Sequence, residues 1–187
     1  MDHARRTLIE RRRQFTWPGY ESYADAGLEG DYVSPYQLSC GNPSGPVLLT
    51  YNFLDAPTAR REVARLRQSG YLPEMPFNRV LDRALAMAGL ERADLYVTHA
   101  FHLLARSRSE TLPARAVEAS FDAVARHEIA GRPVIALGQV AAIQCRRHGI
   151  AHLPLPHPSA RGQSFETRAS VLADALLSTT SRCASAT

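Results

Sequence analysis

Gly45-Pro46-Val47-Leu48-Leu49-Thr50-Tyr51-Asn52-Phe53, followed by Leu54-Asp55-Ala56-Pro57-Thr58, is the stretch on which the fold turns. A Gly-Pro turn signal opens a short β-rich apolar run, which reads as a buried strand over Val47 to Phe53. Pro57 suits the first turn of a helix, and the pattern from Arg60 through Leu66 carries that helix to Gly70. Strand, tight turn and helix in this order form the opening half of a parallel β-α-β unit.

The same alternation repeats downstream. Val80, Leu81, Ala84, Leu85 and Ala88 form a one-sided helical stripe within Phe77 to Leu90, ending at Gly89. Asp94 to Phe101 reads as a second strand, Ala114 to Ile129 as a helix, and Pro133 to Gly138 as a third strand. Gln139 to His148 reads as a helix, Ala151 to Leu155 as a brief fourth strand, and Phe165 to Leu177 as a closing helix. The expected fold is α/β: a three-layer α/β/α sandwich around a mainly parallel four-stranded central sheet. It is expected as one domain over residues 1–187. Within it, residues 1–45 supply a basic helix over Arg5 to Gln14 and an irregular Pro/Gly/Tyr-rich segment packed on the rest.

Composition narrows the class. The chain has 187 residues, of which 45% are hydrophobic and 21% charged, values typical of a globular protein and unlike those of a disordered or fibrous one. It holds no apolar run of membrane-spanning length and no signal-like apolar core behind its basic N-terminus, so a cytoplasmic protein is expected. Cys40, Cys145 and Cys183 are widely spaced and read as free thiols. The net charge is +4, and all 22 basic residues are arginine. Arginine holds phosphate bidentately, so this bias is compatible with a nucleic-acid partner, although the net charge is small.

In a parallel α/β sheet, ligands bind beyond the carboxyl ends of the strands. The segments there carry Asp55-Ala56-Pro57, Thr98-His99-Ala100, Leu137-Gly138-Gln139-Val140-Ala141 and His157-Pro158-Ser159-Ala160-Arg161. Their order, with Met75-Pro76-Phe77 between the first two, resembles the uracil-DNA glycosylase superfamily over roughly Pro46 to Leu177. Leu54-Asp55-Ala56-Pro57-Thr58 is similar to the first motif of its iron–sulfur branch, keeping the acid, Ala and Pro but lacking both flanking glycines. His157-Pro158-Ser159 matches the late His-Pro-Ser. His99 stands where that superfamily carries a base-reading Asn, and the cluster cysteines are missing, which implies a divergent branch without an iron–sulfur centre. The resemblance implies DNA containing uracil or another damaged base as partner. It also implies a monomer needing no obligate protein partner and no cofactor. It places Ala56 and Pro57 with the substrate and Phe77 as a stacking surface for the extruded base.

The chemistry can be argued from the residues as well. Breaking an N-glycosidic bond puts positive charge on the sugar and negative charge on the departing base, so a carboxylate and a hydrogen-bond donor are needed on opposite sides. Asp55 and His157 are the catalytic candidates. Asn52 is a candidate amide for reading the base, as is His99 if it faces the pocket. Pro158, Ser159, Arg161 and Gly162 are expected at the DNA minor groove, with Arg106 and Arg108 as further phosphate contacts. The remaining histidines lack metal-ligand spacing, so no metal site is expected.

Plainer readings stand beside these. Asp55 suits a helix cap, His157 a turn, and Phe77 and His99 a core; the basic helix suits a solvated face. The leading function is a base-excision-repair hydrolase. The alternatives are a catalytically weak binder of damaged or abasic DNA on the same fold, and a small-molecule enzyme on a generic α/β sheet.

Overall fold

The computed structural model describes residues 3–184, with side chains to residue 180; the side chain of Cys183 therefore lies outside the described residues. Four parallel strands form the sheet: β1 (Val47–Asn52), β2 (Tyr96–Phe101), β3 (Val134–Leu137) and β4 (His152–Leu155), in spatial order β2-β1-β3-β4. β1 sits in the centre, with Leu49 opposite Thr98 on one side and Ala136 on the other. Strands β1 to β3 are apolar or buried at nearly every position because helices cover both faces, as a parallel sheet requires.

Among the described residues, eight α-helices surround the sheet: α1 (His3–Gln14), α2 (Ala56–Arg61), α3 (Val63–Ser69), α4 (Pro76–Ala88), α5 (Ala114–Ser120), α6 (Arg126–Glu128), α7 (Gln139–Arg147) and α8 (Phe165–Ala184). On one face Leu48, Val97 and Ile135 pack with Leu81 and Leu85 of α4 and Leu172 and Leu176 of α8. On the other face Val47, Leu49 and Ala136 pack with Val117, Phe121, Ala141 and Cys145. The architecture is the expected three-layer α/β/α sandwich. Among the described residues, no helix is long and apolar enough to cross a membrane.

Three helices depart from the sequence reading. The helix expected from Pro57 to Gly70 is two, because Glu62 leaves helical dihedrals (φ −101°, ψ 14°) while its N–H still bonds to Thr58 O. The helix expected from Ala114 to Ile129 contains a wider π turn, Phe121–Ala125, that buries Phe121, Val124 and Ala125 between α5 and α6. α8 continues past Leu177 to Ala184.

The N-terminal segment enters the core. Tyr23, Leu28, Tyr36 and Cys40 pack against the α4 and α8 side, and antiparallel bridges tie Glu21 to Leu104 and Gly41 to Tyr96. The basic helix is not wholly a solvated face: Arg12 is 2% exposed, forms a bidentate pair with Glu29 (2.7 and 3.0 Å), and donates to Tyr32 O. Arg13 also pairs with Glu29. These cations fasten α1 to residues 29–32 and are not offered to phosphate. Cys40 and Cys145 are buried free thiols.

Candidate active site

A cavity of about 520 Å³ opens where the strands end. Its wall is built from four strand exits: Asn52 to Asp55 after β1, Arg108 beyond β2, Leu137 to Val140 after β3, and His157 with Ser159 after β4. Tyr36, from a 3₁₀ turn at Pro35–Leu38, and the Tyr71–Asn78 stretch complete it.

Asp55 caps α2. Its Oδ1 accepts the Thr58 N–H at 2.9 Å, while its backbone turn is tied to the strand-β2 exit through Ala56 N to Ala105 O (2.8 Å) and Ala105 N to Leu54 O (3.1 Å). The cap reading and the cavity reading are therefore both true of one residue: Asp55 is buried yet lines the cavity. The cap uses one carboxylate oxygen, and Oδ2 has no hydrogen-bond partner among the described residues.

His157 is oriented from its other nitrogen. Nδ1 accepts the Ser159 N–H at 3.1 Å, and Ala160 N donates to His157 O at 2.8 Å, forming a tight turn. Arg168 of α8 holds this turn from behind by donating to Pro158 O (2.6 Å) and Ala160 O (3.3 Å). Burial lowers the imidazole pKa to about 4, so the ring is neutral at pH 7. A neutral ring that accepts at Nδ1 carries its proton on Nε2 and is a hydrogen-bond donor there. Gly138 lies beside it. With φ +92° that position favours glycine, and an added Cβ would lie 3.4 Å from His157 Cβ.

Aromatic rings line the rest. Phe77 lies 5.7 Å from His157 with the planes 29° apart, and Tyr36 and Tyr71 stack at 6.4 Å. Tyr36 is fixed because its hydroxyl donates to Asn78 Oδ1 (3.1 Å), whose Nδ2 donates to Leu72 O (2.8 Å). Phe77 also belongs to the core, so it serves both as packing and as a cavity wall.

The other expected residues divide. Asn52 lines the cavity, as do Ser159 and Arg108. Ala56 is buried behind it, and Pro57 is exposed on α2; neither is among the lining residues. His99 is likewise not among them. It is fully buried, with Nδ1 2.6 Å from Thr50 Oγ1 and Nε2 2.8 Å from Ser34 Oγ. Its place in the middle of an all-buried β2 puts it one layer behind the wall, against Tyr36 and Phe53. Pro158 is buried, while Arg161 and Gly162 are exposed in the loop after it. Arg106 pairs with Glu110, donating from Nε at 2.6 Å, whereas Arg108 is exposed with no ion pair among the described residues.

Tyr36, Thr50, Tyr71 and Gln139 are cavity residues that the sequence reading did not single out. Gln139 belongs to the strand-exit segment Leu137–Ala141 already marked by position, though without a role of its own; Tyr36 and Tyr71 carry no local signal. Behind β2 lies a separate buried network. There Glu128 accepts from Gln37 (2.7 Å), Tyr96 (2.6 Å) and Thr98 (2.5 Å), and lies 3.5 Å from His102 Nε2. Burial pushes the Glu128 carboxyl up, but the bonds from His102, Thr98 and Tyr96 outweigh it and hold the group below its ordinary value. Among the described residues, no three His, Cys, Asp or Glu side chains converge to hold a metal ion.

No family model matches this chain, nor does any curated protein.

Proposed function

We propose that the protein is a DNA repair glycosylase that hydrolyses the N-glycosidic bond of uracil or a related damaged base after flipping it out of DNA. The observation that carries this reading is that Asp55 and His157, more than a hundred residues apart in sequence, line one cavity beside the Phe77 ring. That arrangement supplies an anion, a neutral donor and a flat apolar surface around a space large enough for a nucleobase.

In this mechanism the base stacks on Phe77, which offsets part of the unstacking cost. The C1′–N bond breaks with its electron pair moving onto the base. His157 Nε2–H donates to the carbonyl oxygen where that charge collects, an interaction typically worth about 2.7–4 kcal/mol of barrier. Asp55 uses its uncapped oxygen to orient a water, and its charge favours the cationic sugar. The water oxygen bonds to C1′, its proton passes to solvent by way of the carboxylate, and an abasic sugar and free base are released. Arg108 and Ser159 line the cavity, and the exposed Arg161 and Gly162 follow Ser159 in the same loop; this reading assigns them to the phosphates.

The second reading, a binder of damaged or abasic DNA with little turnover, is favoured by the commitment of one Asp55 oxygen to the helix cap. A labelled duplex with a single uracil separates the two. The glycosylase produces alkali-sensitive abasic sites that Asp55→Ala does not, and its affinity for DNA falls steeply as salt rises. Tight binding with no base release by either protein supports the binder; no salt-sensitive DNA affinity rejects both.

A further inference from the structure

Thr50 is a buried strand residue that lines the cavity. It lies on β1 two positions before Asn52, on the same face, and is 3% exposed. Among the described residues its hydroxyl has one hydrogen-bond partner, His99 Nδ1. The other nitrogen of His99 meets Ser34 Oγ, and Ser34 Oγ also accepts the Tyr36 N–H at 3.4 Å.

A neutral imidazole has one donor and one acceptor, so this chain can run in only two directions. In one, His99 Nε2–H donates to Ser34, and Thr50 donates to Nδ1. Ser34 then accepts twice, and its own proton can turn to the Tyr23 hydroxyl beside it, which leaves the Tyr23 proton without an acceptor in fully buried protein, where that is costly. In the other, Ser34 donates to Nε2, Nδ1–H donates to Thr50, and the Thr50 proton is free to project into the cavity, where solvent or a ligand accepts it. The second gives every proton of the Ser34, His99 and Thr50 chain an acceptor and leaves the Ser34 oxygen open to the Tyr23 hydroxyl. Neutrality of the ring is supported by its complete burial and by the proximity of His102 and His157, which hold its pKa well below the ordinary histidine value.

We propose that Ser34, His99 and Thr50 form a directional relay that fixes Thr50 as a hydrogen-bond donor to the cavity, so that the site selects a base presenting a carbonyl oxygen to β1 over one presenting an amino group. This rests on the glycosylase reading only for the ligand being a base. Thr50 is the specificity-determining residue, and His99 is a positioning residue that acts through it. Deamination replaces an exocyclic amine by a carbonyl, so a donor at this place admits the deaminated base and leaves the undamaged one with two donors facing each other.

The test has two arms on the full chain. In ¹⁵N-histidine NMR, with His99 assigned by loss of its signals in His99→Gln, the ring is expected as the neutral Nδ1–H tautomer; an Nε2–H or charged ring overturns the relay. In titrations with free uracil and free cytosine, which differ at one such position, wild type is expected to prefer uracil. Thr50→Val should lose about tenfold in uracil affinity with cytosine little changed, and Thr50→Ser should retain the preference. Equal losses for both bases, or none, overturn the proposal. A protein with the Nδ1–H ring and a Thr50-dependent preference that releases no base from DNA defeats the glycosylase reading alone. Base release with the proton on Nε2 defeats the relay alone.

Discussion

Asp55 is a helix cap, and the proposed mechanism gives it a second role that a pair of substitutions separates from the first. As the cap of α2 it satisfies the Thr58 N–H; as a charge in the cavity it is assigned to the attacking water. Asp55→Asn keeps an oxygen acceptor for the cap and removes the charge, whereas Asp55→Ala removes both. Loss of an N-cap costs about 1 kcal/mol, and for a chain of this size that lowers the melting temperature by roughly 2–4 °C. Asp55→Ala is expected to show that drop, and Asp55→Asn to melt close to wild type. Base release should fall in both, by about 10²–10⁴-fold, the usual contribution of a positioned general base. The assay is single-turnover release from a uracil duplex, paired with thermal melting of the same preparations. If Asp55→Asn releases base within about threefold of wild type, the carboxylate is only a cap and the mechanism is wrong.

His157 sets a pH dependence whose sign follows from burial. Its folded pKa of about 4 lies below the unfolded value, so between those values the unfolded chain binds the extra proton and stability falls as pH drops. Activity should stay level down to about pH 5 and decline as the ring protonates near 4 and loses its Nδ1 acceptor for Ser159; a decline centred near pH 6.5 would show an ordinary exposed histidine. Arg108→Ala should weaken binding to all DNA sequences and reduce the salt slope by about 1, while Arg106→Ala, already paired with Glu110, should change the slope little; equal effects would refute the distinction. Arg12→Ala removes a buried guanidinium and leaves Tyr32 O short of a donor, while the exposed Glu29 keeps Arg13, so it should cost about 1–3 kcal/mol, read by chemical denaturation, with base release unchanged below the melting temperature.

The four strands were legible in the chain because each is a short run bounded by turn residues, and for β1 to β3 burial on both faces leaves the apolar pattern undisturbed, while the half-exposed β4 is marked by its turns and length. The helix joints were not: the break at Glu62 and the π turn at Phe121–Ala125 follow no local signal and are set by what the helices pack against. Asp55 and His157 could be nominated from sequence because each follows a strand, and in a parallel sheet all strand exits meet at one edge. The fate of His99 could not. Whether a strand residue looks into a cavity or one layer behind it depends on partners drawn from elsewhere in the chain, here Ser34 from the N-terminal segment and Thr50 from the neighbouring strand.

By itself, then, the sequence determined the alternation of elements, the parallel sheet and the edge at which polar residues gather, since these follow from local periodicity and from the handful of ways such elements can pack. Only the tertiary structure decided which nitrogen of His157 is held by Ser159, that Arg12 is spent on Glu29, and that Tyr36 and Tyr71 wall the cavity. Those outcomes depend on contacts between segments far apart along the chain, and such contacts leave no mark in the composition or spacing of either segment.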